Sequence, residues 1–248
     1  MSTLYTNPEA YDAIHGSVAT GDFLGFYASA MERSGTPALE LGCGSGRLLV
    51  PLAGQGYKIL GVDSSMRMLR LAQRKADSSG IKLQLNRADM RSFNLGRWFR
   101  TIICAGNSFQ HLLHRQDVET CLASVRTHLM RKGRFVLDVF NPSLALLLNG
   151  KSRKLGTWRD VKSGHSISIA VESDYDGATQ INQGRYLFED NTTKRRSALL
   201  FSMRQFFPQE LESILICNGF AIQRRYGDYD RRLFSASAPR QVIVASPR

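Results

Sequence analysis

The sequence predicts an α/β fold: a doubly wound, mostly parallel sheet of seven strands with an inserted antiparallel β segment. Three observations predict it. Short apolar strands alternate with helical segments between residues 36 and 141, and such alternation means parallel pairing through crossovers. Glycines cluster where the first strand turns into a helix. Turn dipeptides then divide residues 153–207 into alternating runs, the mark of an antiparallel meander.

The elements follow in order. Residues 1–34 read as helical, with Asn7 as a cap before Pro8 in a first turn. The first strand is 36–42. Residues 46–56 have helical spacing and a glycine stop, and 57–63 is the second strand. Serines 64 and 65 cap a helix that closes on Gly80. Strands three, four and five are 81–89, 100–106 and 134–141. Between the last two, 116–133 reads as an amphipathic helix ending in basic residues, as the helix dipole prefers. Ser163-Gly164, Asp176-Gly177 and Asp190-Asn191 mark the turns of the meander. A helix over 209–219 and two closing strands complete the count. The expected division is a helical cap (1–35), an α/β core (36–150 and 208–248) and a β lid (151–207).

Composition narrows the class. Of the 248 residues, 43% are hydrophobic and 22% charged, which excludes collagen-like and disordered chains. A chain this long buries a core without disulfide or metal staples. The net charge of +12 favours anionic partners. It is spread, with 17 basic and 11 acidic residues in 1–150 and 16 and 10 in 151–248, so neither part is a charged tail. No apolar run reaches the ~20 residues of a membrane span, and the N-terminus lacks a secretory signal. Cys43, Cys104, Cys121 and Cys217 lie far apart with no zinc or disulfide spacing. They read as small apolar residues in a reducing, cytoplasmic setting. The five histidines and the acidic pairs Asp12/Asp22 and Asp228/Asp230 offer no metal set. The pairs read as turn and surface residues.

The chemistry concentrates at strand ends. Glu40-Leu41-Gly42-Cys43-Gly44-Ser45-Gly46 closes the first strand. Glycines there let the backbone turn sharply and approach a ligand. Asp63 ends the second strand, where a carboxylate accepts both hydroxyls of a ribose. Asp89 and Met90 end the third and can bracket an adenine through a polar contact and an apolar cover. A dinucleotide fingerprint needs a small residue where this chain has Arg47. Glu40 would crowd a pyrophosphate but could accept from an ammonium group. The residues therefore favour a nucleoside ligand with a zwitterionic tail.

At this point the chain resembles the class I S-adenosylmethionine-dependent methyltransferases, through ELGCGSGR, GVDSS, RADM and CAGNSFQHL. The resemblance covers roughly residues 36–141 and the last two strands. It implies S-adenosyl-L-methionine as cofactor and S-adenosyl-L-homocysteine as product. It implies that Glu40, Gly42, Cys43, Gly44 and Gly46 surround the methionine moiety. Asp63, with Ser64 and Met68, would hold the ribose, and Asp89 and Met90 the adenine. Ala105, Gly106 and Asn107 would pass near the sulfonium. The meander is similar to the lid of small-molecule N-methyltransferases, which makes a small amine, amino sugar or nitrogen heterocycle the expected acceptor, with oxygen as the other possible atom.

Acceptor residues are sought where loops converge. His111, past the fourth strand, is the best-placed titratable group for catalysis, or it packs. Tyr5 and Tyr11 lie on the N-terminal segment and orient an acceptor or pack. Trp158 could stack on a planar acceptor or serve the core. Arg204 could clamp an acid or stand solvated on an edge strand. Asn141 could donate to an acceptor oxygen or cap a helix. The alternative reading is an RNA or protein methyltransferase using the basic surface. Against it, Gly106-Asn107-Ser108-Phe109 lacks the Pro-Pro-aromatic motif for base amines, and no arginine–aromatic stacking platform is visible.

Overall fold

The structure is a computed structural model that describes residues 3–16, 19, 21–148, 152–160 and 163–248. Five parallel strands form its centre: β1 (Ala38–Leu41), β2 (Ile59–Asp63), β3 (Gln84–Arg87), β4 (Phe99–Cys104) and β5 (Leu129–Phe140). The closing strands, β10 (Phe220–Tyr226) and β11 (Arg240–Pro247), join antiparallel beside β5. The order across the seven-stranded sheet is β10-β11-β5-β4-β1-β2-β3. This is the doubly wound sheet that the alternation predicts.

Alternate residues of each strand serve opposite faces. Leu39, Leu41, Ile102 and Cys104 pack under α5 (Arg115–His128) and α7 (Pro208–Cys217). Ala38, Ile59, Ile103 and Val136 pack under α2 (Gly21–Ser34), α3 (Leu49–Gly54) and α4 (Met66–Ser78). A purely two-sided apolar burial of this kind is what a parallel sheet requires.

The meander forms a separate four-stranded antiparallel sheet: β6 (Arg153–Arg159), β7 (Ser166–Asp176), β8 (Ile181–Asp190) and β9 (Arg196–Arg204). All three expected turns fall between these strands. Its apolar face meets the N-terminal segment, where Leu4 and Ala10 pack on Ile169, Phe188 and Leu199. Helix α1 (Pro8–His15) carries Ala10, and Asn7 accepts from the Ala10 N–H at 3.2 Å, so the expected cap is in place. The described part of residues 1–35 thus serves two layers: α1 lies against the four-stranded sheet, whereas Phe26, Tyr27 and Met31 of α2 lie in the core. The expected boundary at 150/151 lies outside the described residues.

Several boundaries differ from expectation. The third strand spans Gln84–Arg87 rather than 81–89, and the fourth ends at Cys104. The helix expected to run to 133 stops at His128, and β5 starts at Leu129. The cause is tertiary. Leu129 is buried and pairs with Phe99, and a register shift follows before Arg134 pairs with Thr101. Arg131 and Lys132 ride on that irregularity in solvent rather than in a last helical turn. Three cysteines are buried as expected, but Cys217 is exposed at the end of α7. Asp12 is no surface residue: it pairs with Lys75 at 2.5 Å, with both side chains largely covered.

Gly61 sits where one face of β2 is closely covered. A Cβ there would lie 2.4 Å from Leu49 Cδ2 and 2.8 Å from Cys43 Sγ. Gly61→Ala is expected to destabilise the chain by about 1–3 kcal/mol through overpacking. Urea unfolding measures it, and unchanged stability would contradict the packing described.

Candidate active site

A cavity of about 970 Å³ opens at the carboxyl ends of β1, β2, β4 and β5, with Gly42, Asp63, Gly106 and Phe140 on its wall. The strand order reverses between β1 and β4, the point where open α/β sheets bind ligands.

The glycine turn after β1 forms the floor. Gly44 has a φ of +54° and nothing within 4 Å of where a Cβ would stand, so bare backbone faces the cavity. The Gly44 N–H donates to Asp63 Oδ2 at 2.8 Å, and the Ser65 N–H donates to Asp63 Oδ1 at 2.8 Å. One carboxylate thereby ties the tip of β1 to the tip of β2 and the start of α4. Each of its oxygens can accept once more. Burial raises the pKa of Asp63, and the two N–H groups oppose that shift.

A second carboxylate shapes the opposite wall. Asp138 of β5 is fully buried. It accepts from the Gly106 N–H at 2.8 Å, from the Asn107 N–H at 3.2 Å and from the Tyr27 hydroxyl. Gly106 and Asn107 are thereby held in left-handed conformation, with φ of 64° and 66°. Arg240 stands 3.8 Å from the same carboxylate, and its guanidinium lies 5.0 Å from the ring centres of both Phe140 and Tyr229.

The N-terminal segment and the lid close the remaining side. The Tyr5 hydroxyl is hydrogen-bonded to His111 Nε2, and His111 Nδ1 is 3.1 Å from the Ser202 carbonyl. A carbonyl only accepts, so Nδ1 carries the proton and Tyr5 donates to Nε2. Burial lowers the pKa of His111 and raises that of Tyr5. The segment is strapped down by Ser65 Oγ donating to the Tyr5 carbonyl at 3.0 Å, by Arg67 donating to the Thr6 carbonyl at 2.8 Å, and by Arg47 donating to the His15 carbonyl at 2.9 Å.

The cavity gathers Gly42, Gly44, Asp63, Ser64, Met68 and Met90. It also gathers Gly106, Asn107, His111, Tyr5 and Tyr11. Other expected residues lie elsewhere. Cys43 and Ala105 are buried in the core beneath the turns. Gly46 serves packing, since a Cβ there would meet Val50 and Ala72 at 2.8 and 2.9 Å. Asp89 is engaged by Arg91 at 2.6 Å and does not line the cavity. Arg204 is paired with Glu210 at 2.6 Å and lies over Phe206, so it is neither a clamp nor solvated. Asn141 donates to the carbonyls of Ala236 and Ala238, and the cap before α6 (Leu144–Leu147) is Ser143. Trp158 packs with Leu4 and Ala10 in the lid core.

The sequence reading missed Arg47, His15, Phe23, Tyr186, Tyr229 and Arg240, all on the wall. Arg47 sits in the quoted glycine motif but was weighed only against a dinucleotide. The others come from five separate segments, and nothing local marks them. His15 opens into the cavity, yet burial and the neighbouring Arg47 push its pKa down to about 4. Among the described residues, no group of three or more His, Cys, Asp or Glu could hold a metal, and no helix is long and apolar enough to cross a membrane.

Glu40 lies behind the turn, 4% exposed, with Oε2 unpartnered. Burial raises its pKa to about 8, with Arg47 opposing and Asp63 reinforcing. The folded chain therefore holds a proton that the unfolded chain releases near pH 4.5, and Glu40 costs stability as pH rises from there to about 8. Glu40→Gln is expected to be progressively more stable than the parent as pH rises from about 5 to about 8, with the difference levelling off above that. Denaturant midpoints across that range test it, and a pH-independent difference would contradict the assignment.

The chain is similar to known methyltransferases. Residues 38–133 match the family model described as a methyltransferase domain. A glycine/sarcosine N-methyltransferase from Parasynechococcus marenigrum is 29% identical over 215 residues, covering 86% of this chain and 72% of that protein. The CcbJ methyltransferase from Streptomyces caelestis superposes with a TM-score of 0.84 at 24% identity, covering 99% of this chain and 98% of that one. A sugar N-methyltransferase from a Streptoalloteichus species superposes with a TM-score of 0.76 at 20% identity, covering 100% and 94%. Residues 38–133 thus match a methyltransferase domain, and the fold is the one shared by the solved methyltransferases to which the chain is similar.

Proposed function

We propose that the chain is a class I S-adenosylmethionine-dependent methyltransferase that acts on the nitrogen of a small molecule enclosed between the strand tips, the N-terminal segment and the lid. The observation that carries the reading is the Tyr5–His111 pair on the cavity wall, with His111 anchored by the Ser202 carbonyl. The names of the relatives support a nitrogen acceptor: one is a glycine/sarcosine N-methyltransferase, another a sugar N-methyltransferase. A cavity of about 970 Å³ is at the upper end of small-ligand sites and has room for cofactor and acceptor together.

The residues fit S-adenosylmethionine. The unpartnered Glu40 Oε2 offers an acceptor to an ammonium group. Asp63 retains acceptor capacity for two ribose hydroxyls, and Gly44 leaves open space beside it. Ser64, Met68 and Met90 would flank the nucleoside, and Gly42, Gly106 and Asn107 the sulfur end. When bound, the cofactor supplies an electrophilic methyl group on a sulfonium.

The chain's own work is alignment and proton removal. An ammonium acceptor must lose a proton before it attacks. Tyr5 Oη accepts that proton while passing its own to His111 Nε2. The Nδ1–H bond to Ser202 keeps the ring in the tautomer that can receive it. Burial disfavours the resulting imidazolium, so the proton returns readily to solvent. Tyr11, Tyr186 and Tyr229 exclude water from this end.

The deciding experiment offers labelled S-adenosylmethionine with matched amines and alcohols and reads products by mass spectrometry. Methylated amines are expected, and methylation of alcohols alone, or of RNA alone, would overturn the reading. His111→Ala is expected to lower kcat by about 10²-fold while S-adenosylhomocysteine affinity changes little. Equal turnover would remove His111 from the mechanism. Asp63→Ala is expected to weaken S-adenosylhomocysteine binding by about 1–3 kcal/mol, from unpaired ribose hydroxyls. Unchanged affinity by calorimetry would remove Asp63 from the cofactor site.

A further inference from the structure

A second cavity, of about 290 Å³, lies between α2 and the β5, β11 and β10 end of the sheet. Four arginines line it: Arg33, Arg134, Arg224 and Arg231. No carboxylate lines it, and among the described residues none of the four is ion-paired. The nearby acids are engaged elsewhere. Glu32 accepts from Tyr57, and Asp228 and Asp230 pair with Arg232.

Two of the guanidiniums are held by the backbone instead. Arg134 donates to the carbonyls of Lys132 and Gly133 at 3.2 and 3.1 Å, and Arg224 donates to the Gln223 carbonyl at 2.8 Å. Arg231 occupies a left-handed conformation with a φ of 64° and lies 5.7 Å over the Phe26 ring. A side chain in that backbone region is strained, and such strain clusters at ligand-binding positions. Ser29, Ser34 and the Tyr226 side chain add polar groups to the same wall. Four like charges gathered without counter-ions repel one another, and a multiply charged anion removes that repulsion. Guanidinium forks match the paired oxygens of phosphate groups.

We infer that this cavity is a binding site for a pyrophosphate group, separate from the methyl-transfer site. The group belongs either to free pyrophosphate or to a nucleoside diphosphate, whose base would reach the Tyr226 and Phe26 side. Duplex or extended RNA does not fit a concave site of this size.

The test titrates the full chain, saturated with S-adenosylhomocysteine so that the large cavity is filled, with inorganic pyrophosphate and separately with ADP. One site per chain is expected, weakening as salt rises. The double variant Arg33→Ala/Arg224→Ala is expected to lose at least tenfold in affinity while binding S-adenosylhomocysteine normally, since both side chains are exposed. Arg33→Lys/Arg224→Lys should fall between. Tighter binding of ADP assigns the nucleotide as the source, and equal binding assigns the free anion. The inference is overturned if neither compound binds at millimolar concentration, if the double variant binds as well as the parent, or if only RNA saturates the chain.

Discussion

The whole site depends on the Asp63 carboxylate, shared between two strand tips. It fixes the Gly44 backbone on one side and the Ser65 backbone on the other. Ser65 then does two further things. Its hydroxyl caps α4 by accepting from Met68, and it donates to the Tyr5 carbonyl. The position of Tyr5 against His111 is therefore set from the floor of the cavity. A side chain expected to meet only a ligand first organises the protein that would bind it.

Asp138 plays the matching part across the sheet. Buried on β5, it gathers the left-handed turn after β4, a hydroxyl from α2 and the guanidinium from β11. Three elements distant in sequence meet on one carboxylate. Such a buried carboxyl group is tolerated because its oxygens accept several donors. Tyr229 and Arg240 belong to this group, which explains why they stand on the wall of the same cavity. Floor and wall are thus held by two carboxylates, and the N-terminal segment is strapped over both.

Much of this was legible in the sequence, for local reasons. Alternating strands and helices announced the doubly wound sheet, and the three turn dipeptides divided the lid correctly. Gly44, Asp63 and Met90 were legible because strand ends converge in any such sheet. Tyr5 and His111 were legible as candidates, though their hydrogen bond was not. What stayed hidden depends on which of several available partners a residue takes. The α5–β5 junction moved because Leu129 prefers the ladder with Phe99 to another helical turn. Asp89 turned to Arg91, two residues away, and Arg204 turned to Glu210. Asp12 looked like a surface residue, yet it joins α1 to Lys75 of α4. For Asp12 a partner brought near by folding decides where the side chain points, whereas Asp89 and Arg204 each pair with a residue close along the chain.

A crystal structure with S-adenosylhomocysteine tests the central claim most directly. The account places the ribose hydroxyls on Asp63, the ammonium toward Glu40 and the sulfur facing the chamber bounded by Tyr5 and His111. A product molecule bound away from Asp63, or with its sulfur directed to open solvent, would contradict it.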